Sequence, residues 1–468
     1  MIKDKLKTIV SIVICITVFV GCNSKQTKIE KAMVDNNKPA KVELKKEEGK
    51  FQLYVNNEPF YIKGAGLEFG QIPTVAKHGG NSFRTWRTEN GQQSGKEVLD
   101  EAQKNGLMVT MGIEVARERH NFDYDDATAV KEQLDRIKQE VMALKDHPAL
   151  FIWAIGNELN LRATNPKVWD AVNEISQMIH EVDPNHLTTT TLAGISQREI
   201  DLIKERCTDL DLLSVQLYAK IIELPQQIKE FGWNGPYMVT EWGATGHWEV
   251  PKTEWNAPIE ENSTLKAANY LKRYKAAIEV DSLQCVGSFV FLWGQKQERT
   301  PTWYGVFLED GKETESVDVM HYIWSKKWPE NRTPQIKSFT LNNKTPYQSV
   351  ILKPNKDAKA TIDIVDFENN TINYSWEVLR ESTDLKDGGD KENRPESIDV
   401  QLTRNQNREI NFKLSEKGNF SASHTSVGNT TPASSNRLRP VRSMASLMSV
   451  CTTKPDLPTL LENAIARS

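Results

Sequence analysis

The chain has 468 residues, 38% of them apolar and 26% charged, with a formal net charge of −4. That balance suits a globular protein larger than one small domain, and it lacks the basic stripe that nucleic-acid binding demands. The five cysteines show no metal-like or disulfide-like spacing, which excludes a zinc module or a disulfide scaffold.

The N-terminus carries a targeting signal. Lys3, Lys5 and Lys7 precede an almost unbroken apolar run from Ile9 to Val20, too short to span a membrane and the right length for a signal peptide core. Gly21-Cys22 closes that run and resembles a bacterial lipobox. Residues 1–22 therefore read as a lipoprotein signal peptide, with cleavage before Cys22 and acylation of its thiol. The protein is then expected in the cell envelope, on the outer membrane where the cell has one, because Asn23 rather than Asp follows the cysteine. Residues 23–40 are polar and read as a flexible tether.

A β-hairpin comes next, with strands at Val42–Leu44, Phe51–Val55 and Phe60–Ile62 around a turn at Asn56-Asn57. Strand-like runs then alternate with helical patterns. The strands are expected near 61–65, 82–86, 108–113, 150–155, 187–192, 212–217, 237–240 and 286–291. Helical periodicity covers 96–105, 128–145, 166–182, 197–206, 224–231 and 263–280. Eight such runs predict an α/β fold, a (β/α)8 TIM barrel occupying residues 41–330 together with its hairpin. After Trp328-Pro329 the pattern turns to alternating strands at 336–341, 361–365 and 372–378, which predicts a small Ig-like β-sandwich over residues 331–420. Residues 421–468 are rich in Ser, Thr and Ala and nearly devoid of Lys. They read as a disordered tail, of the kind left by a frameshifted gene end.

Two apolar strands end in glutamate. Phe151-Ile152-Trp153-Ala154-Ile155-Gly156 delivers Asn157-Glu158, and Tyr237-Met238-Val239-Thr240 delivers Glu241-Trp242. Barrel enzymes keep their reactive groups at the C-terminal ends of strands. Two carboxylates there suit glycoside hydrolysis, in which one protonates the leaving oxygen and the other attacks the anomeric carbon. Taken singly, Glu158 is equally well a helix N-terminal carboxylate interacting with the dipole, and the Thr240-Glu241-Trp242 triplet is a weak signal.

With these residues in view the sequence resembles clan A glycoside hydrolases, most closely the TIM-barrel catalytic domain of glycoside hydrolase family 2. The resemblance implies that Glu158 is the acid/base and Glu241 the nucleophile of a retaining reaction, and that Asn157 binds the sugar hydroxyl beside the reacting carbon. It further implies that Arg84 holds the nucleophile ionised, that Tyr218 hydrogen-bonds it, and that Trp293 floors the sugar subsite. Gln216 stands where many clan members carry histidine. Residues that could line the cleft beside these are Glu68, His120, His247, Trp248, Trp303 and Tyr304, each of which could equally be a loop or core residue.

The expected activity is thus hydrolysis of O-glycosidic bonds in a β-linked oligo- or polysaccharide, needing no cofactor and no metal. A β-glucan transglycosylase would use the same pair, and a catalytically inactive, lipid-anchored glycan-binding protein is the alternative from another class. Beside the glycan, the expected partner is a membrane, reached through Cys22.

Overall fold

A computed structural model describes residues 37–68, 70–398, 400, 403–405, 408–415, 418–429 and 442–451. Cys22 and the signal segment lie outside them. Three antiparallel strands come first: β1 (Val42–Glu47), β2 (Lys50–Val55) and β3 (Glu58–Phe60). Their register pairs Val42 with Val55 and Glu47 with Lys50, so the turn at Glu48-Gly49 closes one end. This small sheet is tied to loops that precede barrel strands, through Val42 N to Asn185 O at 2.8 Å and Phe51 N to Leu283 O at 2.8 Å. It therefore lies against the N-terminal ends of the strands that follow Asn185 and Leu283.

The barrel strands are β4 (Ile62–Gly66), β5 (Ser82–Arg84), β6 (Met108–Ile113), β7 (Leu150–Asn157), β8 (Leu187–Ala193), β9 (Leu212–Gln216), β10 (Tyr237–Glu241) and β11 (Cys285–Val290), closed in chain order into a TIM barrel. The helices that follow them in turn are α1 (Ile72–Lys77), α2 (Gly95–Lys104), α3 (Ala127–Leu144), α4 (Lys167–Val182), α5 (Gln197–Arg206), α6 (Leu224–Glu230), α7 (Ser263–Arg273) and α8 (Glu315–Ser325). Two of these, α1 and α8, carry no sequence expectation. The first is only six residues, too short to show a period, and the second is buried along most of its length, which erases the polar face.

Local chemistry explains the boundaries. Ser94 and Glu97 form a capping box at the start of α2, and the Asp126 carboxylate accepts the Thr128 and Ala129 amides at the start of α3. The last helical turn before β11 widens into a π-helix over Tyr274–Ile278, where the periodicity predicted one continuous α-helix. Inside the barrel, a Cβ on Gly64 would meet the Phe289 ring at 2.2 Å, so that site admits only glycine.

By compactness the chain divides into two units. One comprises Met1–Val215, Phe231–Met238 and Ser282–Phe289, and the other Gln216–Glu230, Val239–Asp281 and Val290–Ser468. Within the latter, two antiparallel sheets follow the barrel. The first contains β12 (Gln335–Leu341), β13 (Asp357–Val365), β16 (Glu409–Lys413) and β15 (Thr403–Asn405), in that order, and the second contains β14 (Thr371–Arg380), β17 (Asn419–Asn429) and β18 (Arg442–Cys451). Ile336, Phe339 and Ile362 from the first sheet share one core with Trp376 and Val378 from the second. Strand pairing continues past residue 420: Thr371 pairs with Asn429, and Phe420 with Val450. The stretch read as a disordered tail from residue 421 onward includes most of β17 and all of β18, which pair with one another. β17 is built largely of small and polar residues, and in β18 the adjacent Leu447 and Met448 break the two-residue alternation, so neither shows a strand period. No helix among the described residues is long and apolar enough to cross a membrane.

Candidate active site

Glu158 and Asn157 owe their direction to a bulge. The register between β7 and β8 shifts between Ala154 and Asn157, so the chain turns out of the sheet at its C-terminal end. Gly156 takes φ 72°, and a Cβ there would meet Leu159 at 2.5 Å, so the bulge requires glycine. Glu158 is itself left-handed at φ 54°. That conformation costs a side chain on the order of 1 kcal/mol and is tolerated where surrounding bonds fix the backbone. Those bonds are present: Glu158 N donates to Thr191 O at 3.0 Å, and Glu158 O accepts from Leu161 N at 3.0 Å.

Asn157 is gripped from two sides. Arg84, at the end of β5 and fully buried, donates to its Oδ1 at 2.8 Å. Thr191 Oγ1 also reaches that oxygen, at 3.2 Å, and Arg117 Nε donates to the Asn157 carbonyl at 3.1 Å. Arg84 further lies over the Trp86 ring, 5.1 Å from its centroid. The structure therefore gives the Arg84 guanidinium a defined bond to the Asn157 amide. Arg117 was not legible in the sequence, because it lies in a loop without a strand or helix period to mark it.

Glu241 ends β10 and is 5% exposed. Each of its carboxylate oxygens is held by a donor from the last residue of β9 or from two residues beyond it. Gln216 Nε2 donates to Oε1 at 3.1 Å and Tyr218 Oη donates to Oε2 at 2.9 Å. Positions 216 and 218 lie on one face of an extended chain, so the pair is a single strand-end device. Tyr218 was expected to bond Glu241, and that contact is present. Gln216, known in advance only as a departure from histidine, turns out to be a direct partner of the carboxylate. The backbone joins them too, Leu217 N donating to Glu241 O at 3.0 Å.

Aromatic rings surround Tyr218. Trp248 meets it edge-on with centroids 5.6 Å apart, and Tyr304 and Phe291 do so at 5.5 and 6.1 Å. Trp248 is 58% exposed, so most of its indole is open to a ligand. Trp293 is corrected: it is fully buried against Phe307 and Trp324 and has no open face to floor a sugar. Phe291, two residues earlier and directly after β11, is the aromatic that meets Tyr218. The apolar run Val290-Phe291-Leu292-Trp293 offered two rings, and the strand end selects the first.

The remaining expectations sort by contact. Glu68 is held by Arg87 through two bonds of 3.1 Å each, so its carboxylate is committed to an ion pair in the loop after β4. Trp303 is buried and donates to Thr245 O at 2.8 Å, a core role. Tyr304 Oη accepts the His247 amide at 3.2 Å, and burial drives its phenol well above the usual range. His247 is pushed down to about 4 by burial and then by Arg299, so it is neutral near pH 7. His120 is exposed at the end of a short 3-10 turn, Glu118–His120. Among the described residues no group of His, Cys, Asp or Glu is arranged to hold a metal ion.

Residues 75–258 match the family model described as "Glycosyl hydrolases family 2, TIM barrel domain". That span includes Arg84, Asn157, Glu158, Gln216, Tyr218 and Glu241. Among solved structures, the chain is similar to a β-glucuronidase from Bacteroides uniformis at 12% identity, covering 88% of this chain and 48% of that one with a TM-score of 0.49. A β-glucuronidase from Bifidobacterium dentium matches at 16% identity over 61% of this chain and 49% of that one, with a TM-score of 0.48. A family 2 β-galacturonidase from Eisenbergiella tayi matches at 16% over 62% and 54%, with a TM-score of 0.46. The chain spans about half the length of these structures. It carries a barrel domain of glycosidase type.

Proposed function

We propose that the chain is a retaining glycosidase on a β-linked glycan, with Glu241 as nucleophile and Glu158 as acid/base. One observation carries the reading: a nearly buried strand-end carboxylate, Glu241, has each oxygen aligned by its own donor, Gln216 and Tyr218. Such a carboxylate keeps one geometry, and the remaining lone pairs stay available for attack. In the first step a Glu241 oxygen bonds to the anomeric carbon while the glycosidic bond breaks, and Glu158 gives its proton to the departing oxygen. In the second, Glu158 takes a proton from water, whose oxygen displaces Glu241 and restores the starting configuration. Asn157, fixed by Arg84 and Arg117, is set to hydrogen-bond a sugar hydroxyl next to the reacting carbon.

Anomeric outcome tests this directly. Proton NMR of the first product formed from a β-glycoside should show the β anomer, and Glu241→Gln should lower kcat by about 10⁴-fold or more. First release of the α anomer, or full turnover by the variant, overturns the assignment. Products longer than the substrate would identify a transglycosylase on the same carboxylates. We further read the two C-terminal sheets as one Ig-like sandwich, and Cys22 as the acylated residue that holds the enzyme at the cell envelope.

A further inference from the structure

The segment 384–396 leaves β14 and returns to it, with Arg380 N donating to Glu396 O at 3.2 Å and Ile398 N to Val378 O at 2.8 Å. Between these anchors it reaches the loop after β11. Glu392, 3% exposed, is paired with the Arg299 guanidinium and also accepts the Arg299 amide at 2.5 Å. Arg299 in turn donates to Lys386 O at 2.9 Å, and Lys296 Nζ donates to Gly389 O at 2.6 Å. A charged pair removed this far from water is costly to leave half-made, so the segment fixes the loop with several bonds that break together.

That loop borders the group around Glu241. Lys296 also holds Glu298 at 2.9 Å, and Glu298 Oε1 lies 4.0 Å from His247 Nε2. His247 packs edge-on against Trp248 with centroids 4.9 Å apart, and Trp248 packs against Tyr218, the donor to Glu241. Burial raises the Glu298 carboxyl, to which the Glu241 charge adds, as expected of a group close to the reacting carboxylate. The open indole of Trp248 therefore stands one side chain further out than the nucleophile. A sugar stacked there is not the one bonded to Glu241 but a neighbour along the glycan.

We propose that segment 384–396 is a specificity element of the active site, fixing through Lys296 and Arg299 the wall on which Trp248 binds the outlying sugars of a glycan chain. This rests on the glycosidase reading above. Glu392 and Lys296 are positioning residues, since they act on Trp248 through others.

The test compares kcat/KM for hexaoses of β-1,3-glucan, β-1,4-glucan and β-1,4-mannan with kcat/KM for the matching aryl β-glycosides. The ratio of hexaose to aryl glycoside should fall at least tenfold in Glu392→Gln and at least threefold in Lys296→Met, through KM for the hexaose. Urea midpoints are measured alongside. Lys296→Met removes a partly exposed partner only, so it decides the matter if Glu392→Gln fails to fold. An unchanged ratio in a folded Lys296→Met variant overturns the proposal. If the wild-type protein turns over none of these glycosides, the glycosidase reading fails. The segment's role is then judged by calorimetric titration with the hexaoses, where equal affinities in wild type and variants, or no binding at all, overturn it.

Discussion

In the proposed reaction Glu241 is the group that reacts, and its neighbours only hold it. Its two donors differ in kind: Tyr218 offers a phenol and Gln216 an amide, and both come from one strand end. A hydrogen bond to a charged group contributes about 1.5–3 kcal/mol. Tyr218→Phe should therefore lower kcat/KM on an aryl β-glycoside roughly 10- to 100-fold, with Gln216→Leu in the same range. Because both donors fix one carboxylate, the double variant should lose less than the sum of the two in free energy. Steady-state kinetics of the four proteins closes the cycle, and strict additivity would mean the donors act independently. On the Glu158 side the corresponding device is backbone rather than side chain. The left-handed φ of Glu158 and the glycine before it aim the carboxyl, while two arginines hold the Asn157 between them.

The positions of Glu158, Glu241, Asn157, Arg84 and Tyr218 at or just past strand ends were legible because strand runs are apolar and their ends are not. Every barrel strand could be placed this way, within a residue or two. Legibility failed where that contrast failed. Helix α8 is buried on too many sides to show a period, β17 is too rich in small and polar residues to read as a strand, and in β18 the adjacent Leu447 and Met448 break the alternation. Trp293 was misassigned for a related reason: a run of four apolar residues does not tell which ring the strand end presents. Elements also carry their own electrostatics, seen where the end of α4 meets the residue before β9. His180 lies in the last turn of α4, where the helix dipole favours a cation, and its ring meets Asp211 Oδ2 at 3.0 Å. The bond to Asp211 raises the His180 pKa above 6.5, against the effect of burial. A raised folded pKa means stability present below the unfolded value and lost as pH rises through the folded one. Asp211 keeps bonds from Thr188 N and Oγ1 at 2.7 and 3.1 Å, so His180→Gln leaves no orphaned carboxylate. Urea unfolding should show that variant less stable than wild type at pH 5.5 and the gap closing by pH 9. A gap independent of pH would assign the contact to packing alone.

At the scale of the molecule, the described structure begins at residue 37 and its barrel at Ile62, well after the apolar run that ends at Val20. No described helix has the length and apolarity to cross a membrane, and the sequence expectation places membrane attachment at the segment before the barrel. Two devices could supply it: the apolar run itself, retained as an uncleaved anchor, or an acyl chain on Cys22 after the run is removed. They make opposite predictions for one substitution. Each buried methylene contributes about 0.8 kcal/mol, so a sixteen-carbon chain contributes on the order of 10 kcal/mol and its loss decides partitioning. Cys22→Ser keeps the apolar run but removes the acceptor thiol. If acylation holds the protein, the variant should lose incorporation of labelled palmitate and its processed form should move from the detergent to the aqueous phase of Triton X-114. Glycosidase turnover should stay unchanged, because Cys22 lies some forty residues before the first barrel strand (Ile62 minus Cys22). A variant that stays in the detergent phase, with the N-terminal lysines still present by mass spectrometry, would instead show the apolar run to be the anchor.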